Sequence, residues 1–271
     1  MSYEFDNKRV WGPTPKYQNV LNYKKQNDNL IVIAGPCSVE NEKMLRRIAF
    51  VLSFNTKENC DVFLRGGVYR YGTYPPSDPG LKINRLKILS KVAKEYGLKS
   101  IVEVLDVRDV EKIAPYVDAF QVGARHMQDY ALLRELASSR NTVTLKRNMG
   151  ATLDEFLGAA EYLAKGKCKP ILIERGSSTH MNHVRWDLSI STIAAIKQIT
   201  NIPIIVDASH GTGRRDLVEP MTLAGIAAGA DGFLIEVHPT PEESLTDTDQ
   251  AFSVDRFPRL ISQVKKIKEI L

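Results

Sequence analysis

The chain has 271 residues, 43% hydrophobic and 25% charged, ordinary globular usage that excludes disordered, collagen-like and low-complexity classes. Its net charge of +5 does not point to nucleic acid, because most Lys and Arg sit among Asp and Glu on helix-like stretches such as KKIKEI near the end, the mixing of a solvated face. No apolar run reaches the roughly 18 to 20 residues of a membrane span, and MSYEFDNKRV lacks a signal-peptide core, so a cytoplasmic protein with no membrane partner is expected.

Residues 1–29 are too few for an independent domain and are read as an N-terminal extension to a single catalytic unit over 30–271. Along that unit, short runs rich in β-branched residues alternate with helical periodicity, the pattern of βα units around a parallel sheet. The predicted strands are Leu30 to Ala34, Val62 to Leu64, Ser100 to Glu103, Ala119 to Val122, Thr142 to Lys146, Ile171 to Glu174, Ile204 to Asp207 and Gly232 to Glu236. A helical pattern follows each. After the fifth strand, Thr152 and Glu155 form a capping-box signature that starts a helix. Eight uninterrupted βα pairs predict an α/β fold, a single (β/α)8 TIM barrel with a short N-terminal extension. Two connections are unusually long and rich in Gly, Pro, Ser and aromatics: RGGVYRYGTYPPSDPG after the second strand and RGSSTHMNHVRWDLS after the sixth. Such βα loops build active sites in barrels.

At or just past the C-terminal ends of the strands stand Cys37, Arg65, Glu103, Arg125, Lys146, Arg175, His210 and Glu236. Barrel interiors are apolar and tolerate charge only at their mouths, so this set concentrates chemistry on one face. It divides in two. Arg65, Arg125, Lys146 and Arg175, with Arg147 beside them, predict a cationic cluster that needs a small polyanion carrying phosphate and carboxylate. Cys37, His210, Glu236 and Asp247 form a mixed soft and hard donor set suited to Mn, Fe, Co or Zn rather than Mg or Ca. With only three cysteines and no CxxC spacing, neither a disulfide framework nor a thiolate-only zinc site is expected.

The segments IAGPCS ending at Ser38, LRGG at 64–67, QVGARHMQ at 121–128, LKR at 145–147, IERG at 173–176, SHGTGRRDLVEP at 209–220 and IEVHP at 235–239 are similar to those of 3-deoxy-7-phosphoheptulonate (DAHP) synthases. The chain resembles the compact type I branch, which is also related to the octulosonate-phosphate synthases. The resemblance implies a barrel enzyme, a transferase that condenses phosphoenolpyruvate with an aldose phosphate and releases phosphate. The same resemblance implies a role in aromatic biosynthesis through the shikimate pathway or in a specialised pathway, and a homo-oligomer, a tetramer or a dimer. It further implies that Arg65, Arg125, Lys146 and Arg175 bind phosphoenolpyruvate, and that Cys37, His210, Glu236 and Asp247 hold a divalent metal (Mn, Co, Fe or Zn). Lys146, His210 and Cys37 are the catalytic candidates, Lys146 for proton transfer, with a metal-held water as the alternative for that step.

The sequence leaves the family on the acceptor side. After LRGG the family reads A-F/Y-K-P-R-T, whose lysine lies near both substrates and whose last part grips the aldose phosphate. Here Arg70 stands at the lysine position and Gly72 at the arginine position, and Thr73 is retained. After IERG an arginine common in the compact branch is replaced, with Ser177 and Ser178 following instead. Each lost charge-assisted bond to phosphate removes about 1.5–3 kcal/mol. Arg70, Thr73 and Asp247 are the acceptor-side candidates, with Arg70 or Arg185 able to substitute for the missing cations. The pattern leaves three readings open: an ordinary DAHP synthase with compensated contacts, a synthase with a changed aldehyde acceptor, and a non-catalytic anion-binding barrel. The third is weakened by the four retained metal-ligand types. A true octulosonate-phosphate synthase is weakened because S-F-D-K-A-N-R is absent.

Overall fold

The eight predicted strands close into a ring in chain order. They are β1 (Leu30–Gly35), β2 (Cys60–Arg65), β3 (Lys99–Glu103), β4 (Ala119–Val122), β5 (Thr142–Lys146), β6 (Lys169–Glu174), β7 (Ile204–Asp207) and β8 (Gly232–His238). Every neighbouring pair is parallel, and β8 returns to β1 with Ile31 opposite Gly232 and Gly35 opposite Glu236. This closed parallel ring is the (β/α)8 barrel expected from the alternation of patterns. The computed structural model describes residues 17–56, 59–70 and 80–271, and for Arg70 the backbone alone. No described helix is long and apolar enough to cross a membrane.

Two shells of apolar side chains follow from the period of two along each strand. Ile31 and Ile33 of β1, Phe63 of β2, Ile101 of β3, Ile173 of β6, Ile205 of β7 and Leu234 of β8 fill the barrel interior. Their neighbours, such as Val32, Leu64, Val102, Leu172, Val206 and Phe233, point outward into a larger core beneath the helices. The helices that cover it are α1 (Glu42–Asn55), α2 (Ile83–Glu95), α3 (Val110–Ile113), α4 (Tyr130–Ser138), α5 (Leu153–Ala164), α6 (Ile190–Ile199), α7 (Arg215–Ala227) and α8 (Phe257–Ile270). On α1, Leu45, Ile48, Ala49 and Leu52 recur at helical spacing and are buried; each large side chain contributes roughly 1.5–3 kcal/mol. Asn41 caps that helix by accepting from the Met44 amide at 2.8 Å, and the predicted capping box of α5 is formed by Thr152 and Glu155.

Ahead of β1, a turn of helix at Gln18–Leu21 buries Val20 against the outer core, and the Val20 carbonyl accepts a bond from the Thr200 hydroxyl. In the loop after β2, Tyr69–Arg70 pairs antiparallel with Gly80–Leu81. Beyond β8, Phe252–Ser253 adds a short parallel pairing to that strand at Val237 and His238.

Candidate active site

The inward parity of each strand carries on from apolar to polar at the C-terminal mouth. After Phe63 comes Arg65, after Ile101 Glu103, after Ala119 Gln121, after Ile173 Arg175, after Ile205 Asp207 and after Leu234 Glu236; Lys146 ends β5 with the same parity. Of these, Arg65, Glu103, Gln121, Lys146 and Arg175 floor a cavity of about 760 Å³ that the loops after β1, β2, β6 and β8 wall with Cys37, Ser38, Val68, Trp186 and Asp247.

Arg65, Arg125, Lys146 and Arg175 all line this one cavity. Arg65 and Lys146 have internal partners: Arg65 donates to Glu236 Oε1 at 2.8 Å, and Lys146 Nζ lies 2.8 Å from Asp207 Oδ2. Arg175 is different. It is 5% exposed, stacks 5.3 Å from the Trp186 ring and, among the described residues, donates only to the His210 carbonyl at 3.3 Å, with Nη1 buried and without a partner there. Burial, with Arg185 and Arg125 nearby, pushes its pKa below the ordinary arginine value despite Asp207 and Glu174. A buried guanidinium with no carboxylate at ion-pair distance among the described residues is suited to bind an anion, since an uncompensated buried charge is costly.

On the β8–β1 side, one donor atom each from Cys37, Glu236 and Asp247 lies within 4.8 Å of the others. The Cys37 thiol donates to Asp247 Oδ2 at 2.9 Å. Burial and the adjoining Glu236 carboxylate raise the thiol well above its ordinary pKa, so it stays protonated until a cation displaces the proton. His210 stands outside that compact trio but touches it, with Nε2 3.1 Å from Glu236 Oε1. Asp207 fixes the other side of the ring, 3.0 Å from Nδ1, and also caps the one-turn helix Ala208–Thr212 by accepting from the His210 amide at 3.0 Å. Although burial disfavours the charged imidazole, Asp207 outweighs it and raises the His210 pKa. One thiol, one imidazole and two carboxylates fit a borderline divalent metal such as Mn, Fe, Co or Zn.

The backbone around this trio is built for close approach. A side chain at Gly67 would place its Cβ 2.3 Å from the Cys37 carbonyl, which accepts the Gly67 amide at 2.9 Å. Asp247 sits in the left-handed region with φ 54°, a conformation that short polar residues tolerate best.

A family model described as the DAHP synthetase I family matches residues 17–271. The chain belongs to that family. It is 42% identical over 264 residues to a phospho-2-dehydro-3-deoxyheptonate aldolase of Thermotoga maritima, covering 97% of this chain and 77% of that one. A 2-dehydro-3-deoxyphosphooctonate aldolase of Desulfotalea psychrophila is 27% identical over 260 residues, covering 88% and 90%. Among solved structures, a truncated form of the Thermotoga maritima 3-deoxy-D-arabino-heptulosonate 7-phosphate synthase superposes with a TM-score of 0.81 at 40% identity, covering 90% of this chain and 88% of that one. Phospho-2-dehydro-3-deoxyheptonate aldolase (DAHP synthase) of the same organism gives 0.84 at 41%, covering 90% and 71%.

Within this DAHP synthetase I chain, Arg147 departs from the expected cationic cluster. One residue past Lys146 it has the opposite parity, points outward and forms a two-pronged pair with buried Glu174 at 2.6 and 3.0 Å. The same guanidinium donates to the Ser177 hydroxyl, in the segment that departs from the family after IERG. Arg185 lies beside the metal-type trio, 3.7 Å from Asp247 Oδ1. Gly72 and Thr73, and the side chain of Arg70, lie outside the described residues.

Sequence reasoning missed Asp207, Gln250 and Arg85. Asp207 was legible as the last inward residue of β7, two after Ile205. Gln250 donates to Glu236 Oε2 at 2.6 Å and accepts from Arg185 at 3.3 Å, a role with no signal in the sequence. Arg85, in the first turn of α2, lines the cavity and donates to the Ser38 hydroxyl at 2.9 Å.

Proposed function

We propose that the protein condenses phosphoenolpyruvate with an aldose acceptor, releasing inorganic phosphate and forming a 3-deoxy-2-ulosonic acid. The observation that carries this reading is that one cavity is lined both by Arg175, a buried guanidinium with no carboxylate at ion-pair distance among the described residues, and by Cys37 and Asp247, which form a donor group with Glu236. An anion-binding side next to a metal-type side is what an addition of an anionic enol ester to an aldehyde requires. Family membership and relatives named as heptonate and octonate aldolases support the same class.

In this reading Arg65, Arg125, Lys146 and Arg175 hold the phosphate and carboxylate of phosphoenolpyruvate and keep its carbon 3 facing the acceptor. Cys37, His210, Glu236 and Asp247 hold a divalent metal, Mn, Fe, Co or Zn, which when bound supplies Lewis acidity toward the aldehyde oxygen. Carbon 3 bonds to the aldehyde carbon, water adds at carbon 2, and phosphate leaves from the resulting hemiketal phosphate. Lys146, held by Asp207 at 2.8 Å and 3.4 Å from His210 Nδ1, is assigned to pass a proton to the oxygen that the aldehyde carbon releases from its double bond. The guanidiniums stabilise the departing phosphate.

The test is incubation of metal-loaded protein with phosphoenolpyruvate and a panel of aldehydes, following phosphate release and product mass. A product heavier than the aldehyde by a pyruvate unit is expected. Phosphoenolpyruvate binding without phosphate release from any aldehyde would instead support a non-catalytic anion-binding barrel.

A further inference from the structure

Ten of the fifteen arginines whose side chains are described have a carboxylate within ion-pair distance; Arg85, Arg125, Arg134, Arg140 and Arg175 have none among the described residues. Arg85, Arg125 and Arg175 line the same cavity. Arg125 and Arg175 follow β4 and β6 and belong to the set assigned above to phosphoenolpyruvate. Arg85 does not.

Arg85 Nη1 donates to Ser38 Oγ at 2.9 Å, its one side-chain bond among the described residues, so most of its five N–H donors have no protein acceptor there. Ser38 follows Cys37 and bridges Gly67 past the end of β2. Arg85 therefore stands over β1 and β2, whereas β4 and β6 lie across the closed ring. The donor trio lies on Arg85's own side, because Ser38, which accepts from Arg85, directly follows Cys37, and the Cys37 thiol donates to Asp247 at 2.9 Å. A half-buried guanidinium with a neutral partner, placed beside the metal-type group and across the ring from Arg125 and Arg175, is matched by an anion on the second substrate.

We propose that Arg85, steadied by Ser38, holds the terminal phosphate of an aldose phosphate acceptor and sets the preference for phosphorylated over unphosphorylated aldoses. This rests on the reading of the cavity as a phosphoenolpyruvate-dependent synthase. It assigns acceptor recognition to a residue outside the departed loop, where Gly72 replaces an arginine.

The test compares wild type, Arg85→Ala and Arg85→Lys, each metal-loaded, with erythrose 4-phosphate and with erythrose at saturating phosphoenolpyruvate. Loss of one charge-assisted phosphate contact raises the KM for erythrose 4-phosphate about ten- to hundredfold in Arg85→Ala. The KM for phosphoenolpyruvate and kcat/KM for erythrose stay unchanged, and Arg85→Lys recovers part of the loss. An unchanged KM for erythrose 4-phosphate, or equal losses for both aldoses, overturns the proposal. Calorimetric titration with erythrose 4-phosphate supplies a readout independent of turnover. If wild type releases no phosphate with any aldehyde, the synthase reading fails by itself, and the titration still decides Arg85: weaker binding in Arg85→Ala supports its role, and equal binding overturns it. Should Arg85→Ala fail to fold, Arg85→Lys and Ser38→Ala carry the same comparison, with smaller KM increases expected and no change overturning it.

Discussion

The Lys146 ammonium lies 2.8 Å from the Asp207 carboxylate, and both side chains are buried at the barrel mouth. The same carboxylate accepts from the His210 ring and amide, each at 3.0 Å, so one acid orients both the proposed proton carrier and a proposed metal ligand. Burial opposes its ionisation, but His210 and Lys146 hold its pKa far below the ordinary carboxylate range. Asp207→Asn leaves Lys146 buried and unpaired and frees the imidazole to turn. We expect about ten- to hundredfold weaker metal binding, read by titration of the metal-free protein. Unchanged metal affinity together with unchanged turnover would remove Asp207 from the machinery.

Cys37→Ser replaces the soft donor by a neutral hydroxyl. Circular dichroism and melting should match wild type, while bound metal and activity are nearly abolished. In metal-free wild type, the thiol should alkylate more slowly than free cysteine at neutral pH, because burial and Glu236 keep it protonated. Full activity of the serine variant after metal removal would contradict the assignment.

A chelator should inhibit the protein, and Mn²⁺, Fe²⁺, Co²⁺ or Zn²⁺ should restore it better than Mg²⁺ or Ca²⁺, since a thiolate and an imidazole prefer the softer ions. Activity that survives exhaustive chelation, confirmed by elemental analysis, is the contrary result.

Arg175→Met tests whether the site holds its charge at the expense of the fold. Removing a buried guanidinium with no carboxylate partner should leave the melting temperature unchanged or raised, while the KM for phosphoenolpyruvate rises at least tenfold by the loss of about 1.5–3 kcal/mol. A large fall in melting temperature would mean that Arg175 is structural.

At the opposite end of the barrel, Asp231 ties Lys25 and Lys197 at 2.9 and 2.8 Å and accepts the Ile204 amide at 2.9 Å. Burial raises its pKa, but Lys197, Lys25 and the amide outweigh it and leave the folded-state value below the ordinary 3.8. A depressed carboxylate pKa means that the contribution is complete above that ordinary value and is lost as pH falls through it toward the folded-state pKa. Denaturant melts of wild type and Asp231→Asn should therefore differ by about 1–3 kcal/mol at pH 7 and converge as the pH drops below about 4. A difference that persists unchanged in acid would show that the pair is not its source.

The order of elements was legible in the chain because each strand is a short β-branched run and each helix a 3.6-period stripe, both local properties. Ala119–Val122, Thr142–Lys146 and Ile204–Asp207 match the expected spans residue for residue; the other strands run one to two residues longer at one or both ends because pairing extends into polar flanks such as Lys99 and Lys169. Strand-end position also marked residues that line the cavity, Arg65, Lys146 and Arg175 among them, while Arg147, grouped with them, has the other parity. Lys146 and Arg147 are adjacent in sequence, yet a period of two sends one into the cavity and the other to Glu174. Only closure of the ring brought Arg175 into a place without a carboxylate, set Asp207 between Lys146 and His210, and seated Arg85 of α2 on Ser38 after β1. Those relationships join residues from 3 to 64 positions apart; only the local His210–Asp207 turn had a cue in spacing. The chain by itself determines which residue types reach the mouth, because parity and hydrophobic period are encoded locally. Which charges find partners there, and which are left for a ligand, is decided by the tertiary structure, because ion pairing depends on distances that the closed barrel alone sets.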